Sequence, residues 1–218
     1  MKTKIILTAL LCALNINATT AAIKGNVGAS YATDYYFRGA ELGAESIQAK
    51  IGANTTVKKL EVFLDLFTNQ TTGTNTADTN VAVLGVGTTL SDNLLSVYGG
   101  VINVDVDASE SQLDVFVSLN LNTLLSPSVT VYRNSDEDLY TVEGSVSHLI
   151  NTNLCDLTVS LDAGTTDITP STSRSYVGAG LKISKEIDNI TPYVSVSLID
   201  ADDMSRDTIT QAGLTFKF

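Results

Sequence analysis

The sequence predicts an all-β chain, an up-and-down antiparallel transmembrane β-barrel of about twelve strands, and three observations carry that prediction. Segments of alternating apolarity follow one another from Ile23 to Phe218. The connections between them alternate between short and long. The last segment closes on Phe216 and Phe218, with polar or small residues between the apolar ones.

The first residues are read apart from the fold. Lys2 and Lys4 precede the apolar run Ile5 to Leu14 and a polar stretch ending in Ala21 and Ala22. This is the pattern of a secretory signal peptide, with cleavage expected after Ala22 or Ala21. Residues 1–22 are therefore assigned to export and 23–218 to the barrel. Cys12 is not read as a lipid anchor, because Leu11 stands where a small residue is needed. Removal of Lys2 and Lys4 would take the formal charge from −11 to −13. So acidic a chain is not expected to bind nucleic acid. Cys155 would then be the sole cysteine, read as a lone buried thiol without a disulfide. No stretch after Leu14 approaches the ~18 apolar residues of a membrane-spanning helix, but barrel strands need only ~9–11 residues each.

The clearest strand runs from Leu113 to Asn122. Leu113, Val115, Val117, Leu119 and Leu121 alternate with Asp114, Phe116, Ser118, Asn120 and Asn122. Leu60, Val62, Leu64 and Leu66 stand likewise against Glu61, Phe63, Asp65 and Phe67. Leu157, Val159, Leu161 and Ala163 oppose Thr158, Ser160, Asp162 and Gly164, and Val177, Ala179, Leu181 and Ile183 oppose Tyr176, Gly178, Gly180, Lys182 and Ser184. Residues 94–106 and 128–133 alternate too weakly to choose an outward face. Short gaps are expected at Lys58-Lys59, Asp92-Asn93, Leu124 to Pro127, Thr152-Asn153 and Asp188-Asn189. Longer, more polar ones are expected at Asn69 to Asn80, Asp105 to Ser111, Thr165 to Arg174 and Asp200 to Asp207. Short turns on one side and long loops on the other describe an outer-membrane barrel. A soluble sandwich or lipocalin-like barrel would carry bulky aromatics on its apolar face, whereas here that face is mostly Val, Leu, Ile and Ala.

In the terminal segment Ala212, Leu214, Phe216 and Phe218 share the greasy face, and Gln211, Gly213, Thr215 and Lys217 the other. Gln211, Gly213, Phe216 and Phe218 together match the signal by which outer-membrane barrels are recognised for insertion. At the other end Thr33, Asp34, Tyr35, Phe37, Arg38 and Gly39 form a Thr-Asp-Tyr-x-Phe-Arg-Gly element that continues the strand beginning at Val27, with Gln48 on the next. This element resembles the N-terminal mark of the TorF-type family of outer-membrane porins. The resemblance covers the start of the chain, and Ala40-Glu41-Leu42 departs from the small polar residue that usually follows the Arg-Gly pair. It implies a bacterial outer-membrane location, a porin function, and as partners outer-membrane lipid and lipopolysaccharide, the barrel-insertion machinery and small polar solutes.

No catalytic group, metal site or cofactor is expected. His148 should face lipid with Val146 and Ile150, while Ser145 and Ser147 face inward, so no nucleophile meets a base. The acidic loops at Asp105 and Asp107, Asp136 to Asp138, and Asp200, Asp202 and Asp203 lack EF-hand spacing and are read as solvated, mutually repelling faces, with cation bridging to lipopolysaccharide as a second reading. The expected pore lining is Arg38, Lys50, Glu61, Asp65, Asp114, Glu143, Asp162 and Lys182, with Lys24 and Lys217 near the termini. Charges of both signs point to a wet interior that passes small polar solutes. The alternative is a non-conducting barrel, structural or adhesive through its outer loops, in which the same charges pair across the lumen. Arg38, among aromatics, suits an anchor as well as a selectivity residue.

Overall fold

Twelve strands close into one antiparallel barrel in a computed structural model that describes residues 22–72, 77–107, 109, 111–202 and 206–218. The expected signal peptide lies outside the described residues except for Ala22. In chain order the strands are β1 (Lys24–Ala32), β2 (Tyr35–Phe37), β3 (Ala40–Gly43), β4 (Ser46–Val57), β5 (Leu60–Thr71), β6 (Thr79–Leu90), β7 (Leu95–Val106), β8 (Gln112–Leu121), β9 (Ser128–Asn134), β10 (Tyr140–Asn151), β11 (Asp156–Thr169), β12 (Thr172–Ser184), β13 (Ile190–Ala201) and β14 (Asp207–Lys217). All but β2 and β3 belong to the barrel. Neighbours in sequence pair with one another, and β14 returns to β1 in the register Asn26↔Lys217 to Ala32↔Gln211. Closure leaves no strand edge with unpaired backbone groups, the condition a sheet must meet in lipid.

The outer surface is apolar and the inner one mixed. Along β8, Val115, Val117 and Leu119 are 50%, 53% and 48% exposed, while Asp114 and Phe116 between them are 1% and 7% exposed. A face of bare Val and Leu is the opposite of a soluble barrel and suits hydrocarbon. The strand pairing also resolves the two segments whose phase was weak. Ser96, Tyr98, Ile102 and Val104 of β7 and Ser128, Thr130 and Tyr132 of β9 project inward, since these strands pair with β8 in the registers Ile102↔Asp114 and Phe116↔Tyr132. The alternation of β7 is weak because the strand is apolar on both faces.

The loop pattern differs from expectation at two places. Between β11 and β12 only Pro170 and Ser171 remain, because both strands pair up to Thr169↔Thr172. Polar residues there made a hairpin read as a loop. The segment after the first strand is longer than expected and has structure of its own. β1 stops at Ala32, and Tyr35 to Gly43 form the separate hairpin β2–β3. On the short-turn side, His148 faces outward and its Nδ1–H donates to the Leu124 carbonyl at 2.9 Å, tying β10 to the 122–127 turn. Cys155 is half-buried in the 152–155 turn rather than in a core. At the long-loop end Asp138 is paired to Arg133, and Asp200, near the end of β13, to Arg206, so these acids are partly neutralised rather than simply repelling. Asp203 lies outside the described residues.

Candidate functional site

The β2–β3 hairpin turns into the barrel instead of out toward solvent, and its conformation begins with its two-residue tip. Arg38 and Gly39 both have positive φ, 51° and 77°. That is the type I′ geometry, whose twist matches the flanking strands and which favours glycine at its second position. A Cβ on Gly39 would lie 2.7 Å from Tyr176 Cδ1, so the glycine is required by its backbone and by its neighbour alike. The Arg-Gly pair noted in the sequence is thus the point of a wedge. Gly39→Val is expected to cost roughly 1–2 kcal/mol in backbone conformation alone, and the Tyr176 contact adds to it. The check is limited proteolysis: cleavage between Thr33 and Glu45 should accelerate while the twelve-stranded barrel stays intact.

The wedge is held from several sides of the barrel. Arg38 Nη1 lies 2.6 Å from Asp114 Oδ2 of β8, in a pair whose side chains are only 11% and 2% exposed. Its guanidinium also sits 4.4 Å from the ring centre of Tyr132 on β9 and 5.1 Å from that of Phe37. Asn134 donates to the second Asp114 oxygen at 3.1 Å, so both carboxylate oxygens are satisfied. On the opposite wall Tyr36 donates from its hydroxyl to Asp207 of β14 at 2.6 Å. Loss of water, and then that carboxylate, push the Tyr36 hydroxyl well above its ordinary pKa and keep it a neutral donor. Tyr35 stacks on Phe67 of β5 with ring centres 5.8 Å apart.

An apolar seat receives the hairpin, and it corrects the expectation of a uniformly wet interior. Phe37 packs against Ile102, Val104 and Phe116, flanked by Phe63, Tyr98 and Tyr132. Tyr36 packs against Tyr176, Ile199 and Ala201. Phe63, Phe116 and Tyr176 stand on faces read as wet, and they are apolar because an ordered segment inside a barrel needs apolar area to offset its loss of conformational freedom. Small interior residues make room for the rings: Phe63 lies over Gly85 and Tyr98 over Gly87.

The charges expected to line the pore stand on the inner face of the barrel, except Arg38, which the hairpin carries into the lumen. Asp114 and Arg38 form the buried pair just described. Glu143 accepts a 2.6 Å hydrogen bond from the Tyr176 hydroxyl, and Asp162 borders the same cavity of about 330 Å³ next to the hairpin. Asp65 and Asn26 both lie over Gly52, and Glu61, four residues before Asp65 on the same face of β5, pairs with Thr56. Lys50 and Lys182 border a larger cavity of about 700 Å³ at the short-turn end, together with Lys24 and Lys217. A third cavity, about 280 Å³, opens on the loop side between the hairpin and Gln112, Asn134 and Arg174. No ion pair joins Lys50 to Glu61 among the described residues. The arrangement is a barrel whose lumen is narrowed in its loop-side half by one hairpin, with chambers on both sides of it.

Four residues of this site were not singled out in the sequence: Tyr36, Tyr132, Tyr176 and Asp207. The available signal was tyrosine on a polar face, as at Tyr176, where a ring with a hydroxyl can pack against a neighbour and still hold a hydrogen bond. Gln211, Gly213 and Lys217 project inward and Phe216 and Phe218 outward, the two rings stacked 6.4 Å apart beside the β1 seam. Gln211 donates to Ser30 and to Gln48 at 2.9 and 2.7 Å, which ties the closing strand to β1 and β4 across the seam.

No protein-family model matches the chain, and no curated protein matches it in sequence. Solved structures share its shape. The KdgM porin aligns over 88% of this chain and 99% of its own at a TM-score of 0.59 and 12% identity. The NanC porin aligns over 89% of this chain and 100% of its own, at 0.57 and 12%. An outer membrane channel from Pseudomonas putida F1 aligns over 92% and 96%, at 0.58 and 8%. At such identities the likeness concerns the fold.

Proposed function

We propose that this protein is a small porin of the bacterial outer membrane, exported through its N-terminal signal peptide, that lets small polar solutes diffuse through a lumen narrowed by the β2–β3 hairpin. The observation that carries the reading is the hairpin itself. It is pinned by polar contacts at its tip and sides, and it leaves chambers of about 280 and 330 Å³ around it. A barrel whose only task was to be stable would be served by side chains filling the lumen. An internal constriction between open chambers acts as a size and charge filter.

Several features support the setting. The apolar outer face, the short turns with both termini on one side, and Gln211, Gly213, Phe216 and Phe218 in the closing strand suit insertion into outer-membrane lipid by the barrel-insertion machinery, with lipopolysaccharide around the loops. The Thr33 to Gly39 element supports membership of the TorF-type porins, and its place in the hairpin gives that motif a physical task. The competing reading is a non-conducting barrel, structural or acting through its outer loops, and the buried Arg38–Asp114 pair made across the lumen is the observation in its favour. Planar-bilayer recording decides between them. Purified, folded protein should give discrete conductance steps, and silence at every voltage would leave the non-conducting barrel.

A further inference from the structure

The charges inside the barrel are partly sorted along its axis, with Glu61 and Asp65 of β5 the exceptions, since Asp65 faces Gly52 only two residues from Lys50. Toward the loops, next to the hairpin, the chamber beside Tyr176 carries Glu143 and Asp162, while the one arginine bordering it, Arg38, is neutralised by Asp114. At the short-turn end the cavity of about 700 Å³ carries Lys24, Lys50, Lys182 and Lys217 against Asp156 and Glu186. Lys217 is paired to Glu186, and Lys182 lies 4.2 Å from the ring centre of Tyr193. Lys24 and Lys50 form no ion pair among the described residues. In a chain with a formal charge of −11, four of its thirteen basic residues thus share one chamber. Asn26, Asn54 and Thr215 line that chamber as well and supply hydrogen-bonding side chains between the lysines.

We propose that this vestibule is an anion-binding site for small multivalent oxyanions, and that in series with the acidic chamber it makes ion flow through the barrel direction-dependent. The two charge groups are near enough to act as one device. Asp162 pairs with Gly178 and Lys182 stands four residues further along the same strand, roughly 13 Å of strand length. That separation exceeds the Debye length of ~8–10 Å at physiological salt, so each chamber keeps its own sign of counter-ion there. Low-dielectric walls focus the field of each group along the axis. A fixed negative zone followed by a fixed positive zone accumulates mobile ions at one polarity and depletes them at the other. The direction of the applied voltage therefore sets the current.

The direction-dependent flow rests on the porin reading, whereas the binding site can be read without it. Citrate titrated calorimetrically into detergent-folded protein should bind, and Lys50→Gln with Lys182→Gln should weaken that binding at least about tenfold, as loss of two charge-assisted contacts implies. Lys58→Gln, at the exposed turn on the same side, should leave it unchanged. Inorganic phosphate as a second titrant tells a carboxylate site from a general oxyanion site. In oriented bilayers at ~0.01 M salt the current should differ at least about twofold between polarities, and the difference should fade at ~1 M, where the Debye length is ~3 Å. Citrate on the short-turn side should block more strongly than on the loop side, and the double variant should lose both effects. Equal citrate binding by the native protein and the double variant would overturn the site. A conducting barrel with symmetric low-salt current would overturn the directional flow. A barrel that binds citrate through these lysines yet never conducts would overturn the porin reading alone.

Discussion

Asp114→Ala is expected to release the hairpin and raise single-channel conductance. The substitution leaves Arg38 charged in a place where its side chain is 11% exposed and its Nη2 already lacks a hydrogen-bond partner among the described residues. Stripping one partner from a buried pair costs on the order of 3–5 kcal/mol. In a soluble core that cost would appear as unfolding. Here the hairpin can leave its seat and hydrate the guanidinium while the barrel ladder stays paired, so the cost appears as an open lumen. The measurement is conductance together with proteolysis of residues 33–45. Arg38→Ala with Asp114→Ala removes both charges and should hold the hairpin better than Asp114→Ala alone, with a coupling of roughly 1–3 kcal/mol. The remaining contacts of Tyr35, Phe37 and Tyr36 are the reason. Unchanged conductance and proteolysis in Asp114→Ala would show that the pair does not hold the wedge.

Val117→Arg and Ser118→Arg form the second test, because adjacent residues of β8 face opposite solvents. Val117 is 53% exposed on the outer face, near the middle of the strand. An arginine at mid-membrane on a lipid-facing barrel position costs roughly 2–4 kcal/mol. Folding yield into lipid vesicles should fall accordingly. Ser118 borders a further interior cavity, also about 280 Å³ and distinct from the loop-side one, with Phe63, Tyr98 and Tyr132. Arginine there finds water and the Tyr132 ring, so folding should be nearly native and conductance should drop. A reversed order of folding yields would mean the barrel is not embedded as its outer face indicates.

How much of this was legible in the sequence follows from what each feature depends on. Period-two alternation depends on neighbours along one strand, so the faces of Leu60 to Phe67, Leu113 to Asn122 and Tyr176 to Ser184 could be read directly, as could the inward positions of Lys50, Glu61, Asp65, Asp114, Glu143, Asp162 and Lys182. The ends of β11 and β12 could not, because polar residues near Pro170 read as loop while the pairing across the hairpin continues the strands. The face of β7 could not either. Val101 and Ile102 are equally apolar, and only the register with Asp114 and Phe116 decides which of them looks inward.

The chain alone determines a twelve-stranded barrel with a greasy outside, since that pattern is local and repeats along the whole sequence. It also marks Arg38 as unusual, a cation set among aromatics. Where that residue goes was decided by tertiary structure. Asp114 is 76 residues away from Arg38, and Tyr36 and Asp207 are 171 apart. Barrel closure brings them together around one hairpin, and no alternation of neighbours records a contact made across a lumen.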